Sequence, residues 1–141
     1  MIDARGPGSI MLVEDDPLSR KLMKDFLEAH AYSVAAVNNG PDALELASQI
    51  DLDLIIMDVG LPGMDGLEVT RRLQGDPKLR EVPVVAVTAY AMPGDEERML
   101  AAGSKAYLTK PLRFSELLSV VSALIASPGQ REEATSSGNE K

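Results

Sequence analysis

The chain has 141 residues, 45% of them hydrophobic, which suffices for one domain with a full core. It has no cysteine and one histidine, His30, so disulfides, thiolate metal sites and Cys nucleophiles are excluded, and a Ser-His-Asp mechanism and a multi-His metal site are both disfavoured. A net charge of -8 argues against nucleic acid as a partner, because phosphate-backbone binding needs a basic face.

Met1 to Gly8 reads as a loose, flexible lead without the apolar segment of a signal peptide. Ser9 to Val13 is a short apolar strand ending in Glu14-Asp15-Asp16. Asp16 suits the N-cap and Pro17 the first position of a helix, in which Leu18, Leu22, Met23, Phe26 and Leu27 share one face up to about Ala29. Tyr32 to Val37 is a second strand, Asn38-Asn39-Gly40 a turn, and Pro41 opens a second helix carrying Leu44, Ala47 and Ile50. Leu54-Ile55-Ile56-Met57-Asp58 is an apolar run that ends in a carboxylate and meets the Gly- and Pro-rich segment Val59 to Gly66, the pattern of a buried parallel strand followed by a loop.

A third helix is expected from about Leu67 to Leu73, ended by Gly75-Asp76-Pro77. Val84 to Val87 is a fourth buried strand ending at Thr88-Ala89, and a helix over roughly Asp95 to Ala102 stops at Gly103. Lys105 to Leu108 is a short fifth strand ending at Thr109-Lys110-Pro111. The last helix spans about Phe114 to Ala126, so the domain runs from residue 9 to 126, and the polar segment Ser127 to Lys141 is expected to be a disordered tail. Strand and helix alternate five times, which implies a doubly wound α/β fold with a parallel sheet and right-handed crossovers. The longest uncharged apolar run, Val82 to Met92, contains a proline and falls short of the roughly 20 residues a membrane span needs. A cytoplasmic protein without membrane insertion is expected.

The polar residues of interest all follow strands: Glu14 and Asp15 the first, Asp58 the third, Thr88 the fourth, Lys110 the fifth. In a parallel sheet these ends share one edge, where ligands of open α/β folds bind. Crowded carboxylates stay partly protonated unless a cation joins them. Oxygen donors without His or Cys favour a hard ion such as Mg²⁺, which keeps waters and leaves room for phosphate oxygens. Asp15 and Asp58 are the candidate direct ligands, Glu14 acts through a water, and the backbone carbonyl of Gly60 is suited to join. Lys110 is placed to neutralise an incoming phosphoryl group, the Thr88 hydroxyl to bond one of its oxygens, and Asp58 to be the nucleophile that forms an acyl phosphate.

Five separated elements carry a resemblance: Val13-Glu14-Asp15, Met57-Asp58, Leu61-Pro62-Gly63-Met64-Asp65-Gly66, Thr88-Ala89 and Lys110-Pro111. At these intervals the chain, from about Ser9 to Ile125, resembles the receiver domains of two-component response regulators. The resemblance implies a flavodoxin-like (CheY-like) sheet of order 2-1-3-4-5, Asp58 as phosphoacceptor fed by a histidine kinase phosphohistidine or a phosphotransfer protein, and a cis Lys110-Pro111 bond. It also implies a switch in which Thr88, with Ala89 beside it, moves toward the phosphoryl group and Tyr107 turns inward. The responding surface is then the fourth helix, fifth strand and fifth helix, where a downstream protein binds.

Within the family, Thr88 to Met92, Gly94 to Arg98 and Leu27 to His30 resemble small stand-alone receivers of the DivK type, monomers or weak dimers that switch a partner and are not enzymes acting on outside substrates. The chain departs from the family at Gly60, where a larger residue often affects water access. Asp16 is a third acid after the first strand and reads as a helix cap. Three other readings compete. A phosphohydrolase of related fold needs a second Asp as general acid where Gly60 stands. A flavin or nucleotide binder needs a Gly- or Ser/Thr-rich phosphate loop where Glu14-Asp15-Asp16 stands. The chain also matches what a receiver excised from a hybrid kinase or a longer regulator looks like.

Overall fold

The computed structural model describes residues 8–89 and 91–137, of which 126–137 enter by their backbone alone. The elements, in chain order, are β1 (Ser9–Val13), α1 (Pro17–Ala29), β2 (Ser33–Val37), α2 (Gly40–Ala47), β3 (Leu54–Asp58), α3 (Gly66–Gln74), β4 (Val84–Thr88), α4 (Asp95–Ala101), β5 (Ala106–Thr109) and α5 (Phe114–Ser137). All strand pairs are parallel and the order is β2-β1-β3-β4-β5, as the alternation and the resemblance implied.

The near-continuous apolar runs explain the centre of this sheet. Every residue of β3 and β4 is buried, because helices cover both faces. The two-residue period divides the strands between two cores. Ile10, Leu12, Leu54, Ile56, Val85 and Val87 pack with Met23 and Leu27 of α1 and Leu117 and Val121 of α5. Met11, Val13, Ile55, Met57 and Val84 pack with Ala43 and Ala47 of α2 and Val69 and Leu73 of α3. Each fully buried large side chain here contributes roughly 2 kcal/mol.

Local signals set the helix ends. Asp16 caps α1 by accepting from the Ser19 N–H at 2.7 Å, with Pro17 at the first position, and His30 closes it. Asp65, on its face a turn residue, caps α3 by accepting from the Glu68 N–H at 3.0 Å. Gly103 follows α4 at φ +119°, a conformation glycine adopts freely. Ile50 falls outside α2, which ends at Ala47, and β5 begins after Lys105.

Two expectations at the ends of the domain need correction. Gly8 is not part of a loose lead: it is buried, its carbonyl accepts from the Ser33 N–H at 2.9 Å, and a Cβ there would meet Ile125 at 2.9 Å. Residues 1–7 lie outside the described residues. α5 does not stop near Ala126; its backbone continues as helix to Ser137. Gln130, Arg131, Glu132, Glu133 and Ala134 are strong helix formers, and extending a nucleated helix is easier than starting one. The remainder of the expected tail, 138–141, and Tyr90 of the DivK-like segment lie outside the described residues. Among the described residues no helix is long and apolar enough to cross a membrane.

Thr70 on α3 is fully buried, and its hydroxyl has no hydrogen-bond partner among the described residues. Thr70→Val keeps the shape and removes an unsatisfied group, so stability should stay unchanged or rise by about 1 kcal/mol. The urea midpoint measures this, and a marked fall would mean that the hydroxyl has a partner.

Candidate functional site

Sheet register builds the site. Val13 of β1 stands opposite Met57 of β3, so the next residues, Glu14 and Asp58, come side by side where β1 ends. The Glu14 amide still donates to the Val37 carbonyl of β2 at 3.1 Å, which holds it to the sheet. Asp58 stands opposite Val87, and the Val59 N–H donates to the Val87 carbonyl at 2.8 Å. Thr88 stands opposite Thr109, and the Lys110 N–H donates to the Thr88 carbonyl at 2.8 Å. The carboxyl ends of β1, β3, β4 and β5 thus open into one cleft of about 590 Å³, lined by Glu14, Asp15, Asp58, Gly60, Thr88, Ala89 and Lys110 among others.

Glu14 and Asp58 are buried, 1% and 6% exposed, whereas Asp15 is exposed. One carboxylate oxygen from each of the three lies within 4.8 Å of the others. Lys110 Nζ donates to Glu14 Oε1 at 2.7 Å and stands 3.9 Å from Asp58 Oδ2. The second Glu14 oxygen, Oε2, accepts from the Asp16 N–H at 3.1 Å. The Gly60 N–H donates to Asp58 Oδ1 at 3.0 Å, so this glycine meets Asp58 through its amide as well as lining the cleft. The Lys110-Pro111 bond is cis.

Burial, together with the neighbouring Glu14 carboxylate, pushes the Asp58 carboxyl up to about 7, against the opposing Gly60 N–H. The donor set is oxygen only and rich in negative charge, which fits a hard divalent cation and no soft metal. Asp16, by contrast, is spent on its cap: the hydrogen bond from Ser19 holds its carboxyl below the usual carboxylate range.

Tyr107 does not line this cleft. It sits on β5 opposite Ala86, beside a neighbouring groove that it shares with Met92, Glu96 and Glu97. Its hydroxyl is buried without a partner among the described residues, and burial, reinforced by Asp95 and Glu96, raises its pKa.

Two further residues bear on the site. A Cβ at Gly66 would fall 2.5 Å from the Asp58 carbonyl oxygen and 2.8 Å from Val59 Cα, so only glycine lets α3 start this close to the end of β3. Its place directly after the cap Asp65 is the sequence signal for this. Arg20 of α1 donates from Nη1 to the Glu14 carbonyl at 2.9 Å and approaches the Asp15 carbonyl at 3.4 Å. A basic residue one turn after three acids, followed directly by Lys21, is its only sequence signal.

The raised Asp58 value has a definite sign. Between the ordinary value of 3.8 and about 7, the folded chain holds a proton that the unfolded chain has released. Stability of the metal-free protein should therefore fall as pH rises through this window. Asp58→Asn should remove that slope and be the more stable form above pH 7 by roughly 2–4 kcal/mol. Urea midpoints in chelator across this range check both, and wild-type stability that climbs toward neutral pH would contradict them.

Residues 10–122 match the family model described as the response regulator receiver domain. The polar-differentiation response regulator DivK of Brucella anthropi is 44% identical over 119 residues, covering 84% of this chain and 97% of that protein. DivK of Brucella ovis is 44% identical over 117 residues, covering 83% and 95%. Among solved structures, the receiver domain of a signal transduction histidine kinase from Syntrophus aciditrophicus superposes with a TM-score of 0.80 at 38% identity, covering 86% of this chain and 92% of that one. The receiver domain of a sensor histidine kinase from Pseudomonas aeruginosa, solved with a magnesium ion coordinated in its active-site cleft, gives 0.79 at 37% identity, covering 85% and 98%. The chain belongs to the response regulator receiver domain family of two-component signalling.

Proposed function

We propose that Asp58 accepts a phosphoryl group from a phosphohistidine of a histidine kinase or phosphotransfer protein, with Mg²⁺ bound in the acid cleft. The observation that carries this reading is the convergence of Glu14, Asp15, Asp58 and Lys110 from three separate strand ends, with the Lys110 ammonium 2.7 Å from Glu14 and 3.9 Å from Asp58. In the transfer, the N–P bond of the donor breaks, an Asp58 carboxylate oxygen bonds to phosphorus, and the donor imidazole leaves with its electron pair. Asp15, Asp58 and the Gly60 carbonyl would hold the cation directly and Glu14 through water. When bound, it neutralises the crowded carboxylates and the transferring phosphoryl oxygens. Lys110 adds a fixed positive charge and Thr88 a hydroxyl.

The same reading makes the protein a switch rather than an enzyme acting on outside substrates. At Gly60, where a hydrolase of this kind needs an acid, a Cβ would be 3.8 Å from Asp58 Oδ1, so the position is roomy but carries no proton donor. Movement of Thr88 and Ala89 toward the phosphoryl group and rotation of Tyr107 would change the α4-β5-α5 surface for a downstream protein. Tyr107 supports this role because its buried hydroxyl has no hydrogen-bond partner among the described residues. The protein works in the cytoplasm, as a monomer or weak dimer. A second reading, a receiver belonging to a hybrid kinase, is favoured by the 37–38% identity to receiver domains of histidine kinases.

The donor protein has a seat beside the cleft. Leu22, Met23, Pro111, Leu112 and Phe114 line an apolar groove of about 550 Å³ that shares Ser19, Ala89 and Lys110 with the acid cleft. Leu22, one of the lining residues, remains 47% exposed.

Incubation with acetyl phosphate and Mg²⁺ should add one phosphoryl group by intact mass, and Asp58→Asn should abolish the addition; labelling that survives this substitution refutes the assignment. Leu22→Glu should leave labelling by acetyl phosphate unchanged and slow transfer from a phosphorylated kinase about tenfold, the effect of losing one apolar anchor. Equal slowing of both reactions would place Leu22 in the chemistry instead of the docking.

A further inference from the structure

Arg20 touches the acidic loop from outside the cleft. It lies on α1, one turn beyond the cap Asp16, and is not among the residues that line the acid pocket. Its Nη1 serves two successive carbonyl oxygens, that of Glu14 at 2.9 Å and that of Asp15 at 3.4 Å. These residues supply two of the three clustered carboxylates. The other polar atoms of Glu14 are already engaged: its amide with Val37, and its carboxylate with Asp16 and Lys110. Its carbonyl is the one group left, and Arg20 takes it.

We propose that Arg20 is a positioning residue for divalent-cation binding, holding the Glu14-Asp15 peptide units so that both carboxylates stay in a ligating arrangement. The proposal rests on the reading of the acid cleft as the cation site. Two neighbouring carbonyl dipoles that face the same point repel each other, and a guanidinium between them reverses that repulsion. Without it each carbonyl is free to turn toward water, and a turned peptide unit swings the side chains at its two ends. The contact also commits both backbone oxygens to Arg20, which leaves the carboxylates as the loop's available ligands.

Charge and position make opposite predictions, so the two are separable. Removing a cation close to the acid cluster would by Coulomb's law tighten the binding of a divalent ion. Losing the order of the loop would weaken it, by about tenfold for a contact of this outer kind.

The test is Mn²⁺ binding by the full chain, followed by electron paramagnetic resonance, for wild type and Arg20→Met, with metal-free urea midpoints measured in parallel. The proposal predicts Mn²⁺ affinity about tenfold weaker in the Met variant, and a smaller loss in Arg20→Lys, which keeps the charge but not the planar fork. Unchanged or tighter Mn²⁺ binding overturns it, including the case where only the urea midpoint falls, since that is what a merely structural role gives. Should the Met variant not fold, Arg20→Gln carries the same test with the same outcomes. A wild-type protein that binds no Mn²⁺ would instead overturn the cation-site reading itself.

Discussion

Two buried carboxylates, Glu14 and Asp58, end neighbouring strands at the same level, and the ammonium of Lys110 answers both of them while ion-pairing closely only with Glu14. Everything else about the cleft depends on this imbalance. A third acid, Asp15, adds negative charge from the exposed side. Burial, and the surplus of carboxylates over the Lys110 cation, let Asp58 hold its proton up to about neutral pH. Such a site gains most from a divalent ion and then from a phosphoryl group whose charge the ion and the lysine share. The crowding that costs the metal-free fold stability is the source of affinity for what the cleft binds.

The sheet order makes the crowding unavoidable. With β1 and β3 adjacent, their acids must meet; with β4 and β5 following, Thr88 and Lys110 must arrive on the same rim. The flanking pieces hold the geometry tightly. Gly66 lets α3 begin against the Asp58 carbonyl, Asp65 caps that helix, and Asp16 caps α1 while its amide binds Glu14. Arg20 closes the back of the same loop. Rigid elements therefore support both halves of the acid cluster, and the apolar groove beside Pro111 offers an approach to it.

Much of this was legible in the residues because strand ends are marked so plainly. An apolar run that stops at Asp58, Thr88 or Glu14 announces both the strand and the edge it reaches, and a parallel sheet then joins the edges. The α1 cap was legible for the same reason: Asp16-Pro17 has a local mechanism. What could not be read were effects that need three dimensions. No pattern in the chain says that a Cβ at Gly66 would strike the Asp58 carbonyl, or that Arg20 reaches two carbonyls. Tyr107 was matched to a switch position by its place in the chain, yet its surroundings, a groove bordered by Glu96 and Glu97, follow only from the packing of α4. The end of α5 is not legible in the same way: the residues from Ser127 on are polar and carry no apolar face to mark a helix, yet α5 continues to Ser137.

The central claim is that Asp58 is held protonated by burial beside its acidic neighbours and released by a cation. Its most direct test is a titration of the Asp58 side-chain carboxyl by carbon-13 nuclear magnetic resonance, in chelator and in saturating Mg²⁺. The account predicts a midpoint of about 7 without metal and a large downward displacement with it. A midpoint near the ordinary carboxylate value in chelator, unmoved by Mg²⁺, would contradict it.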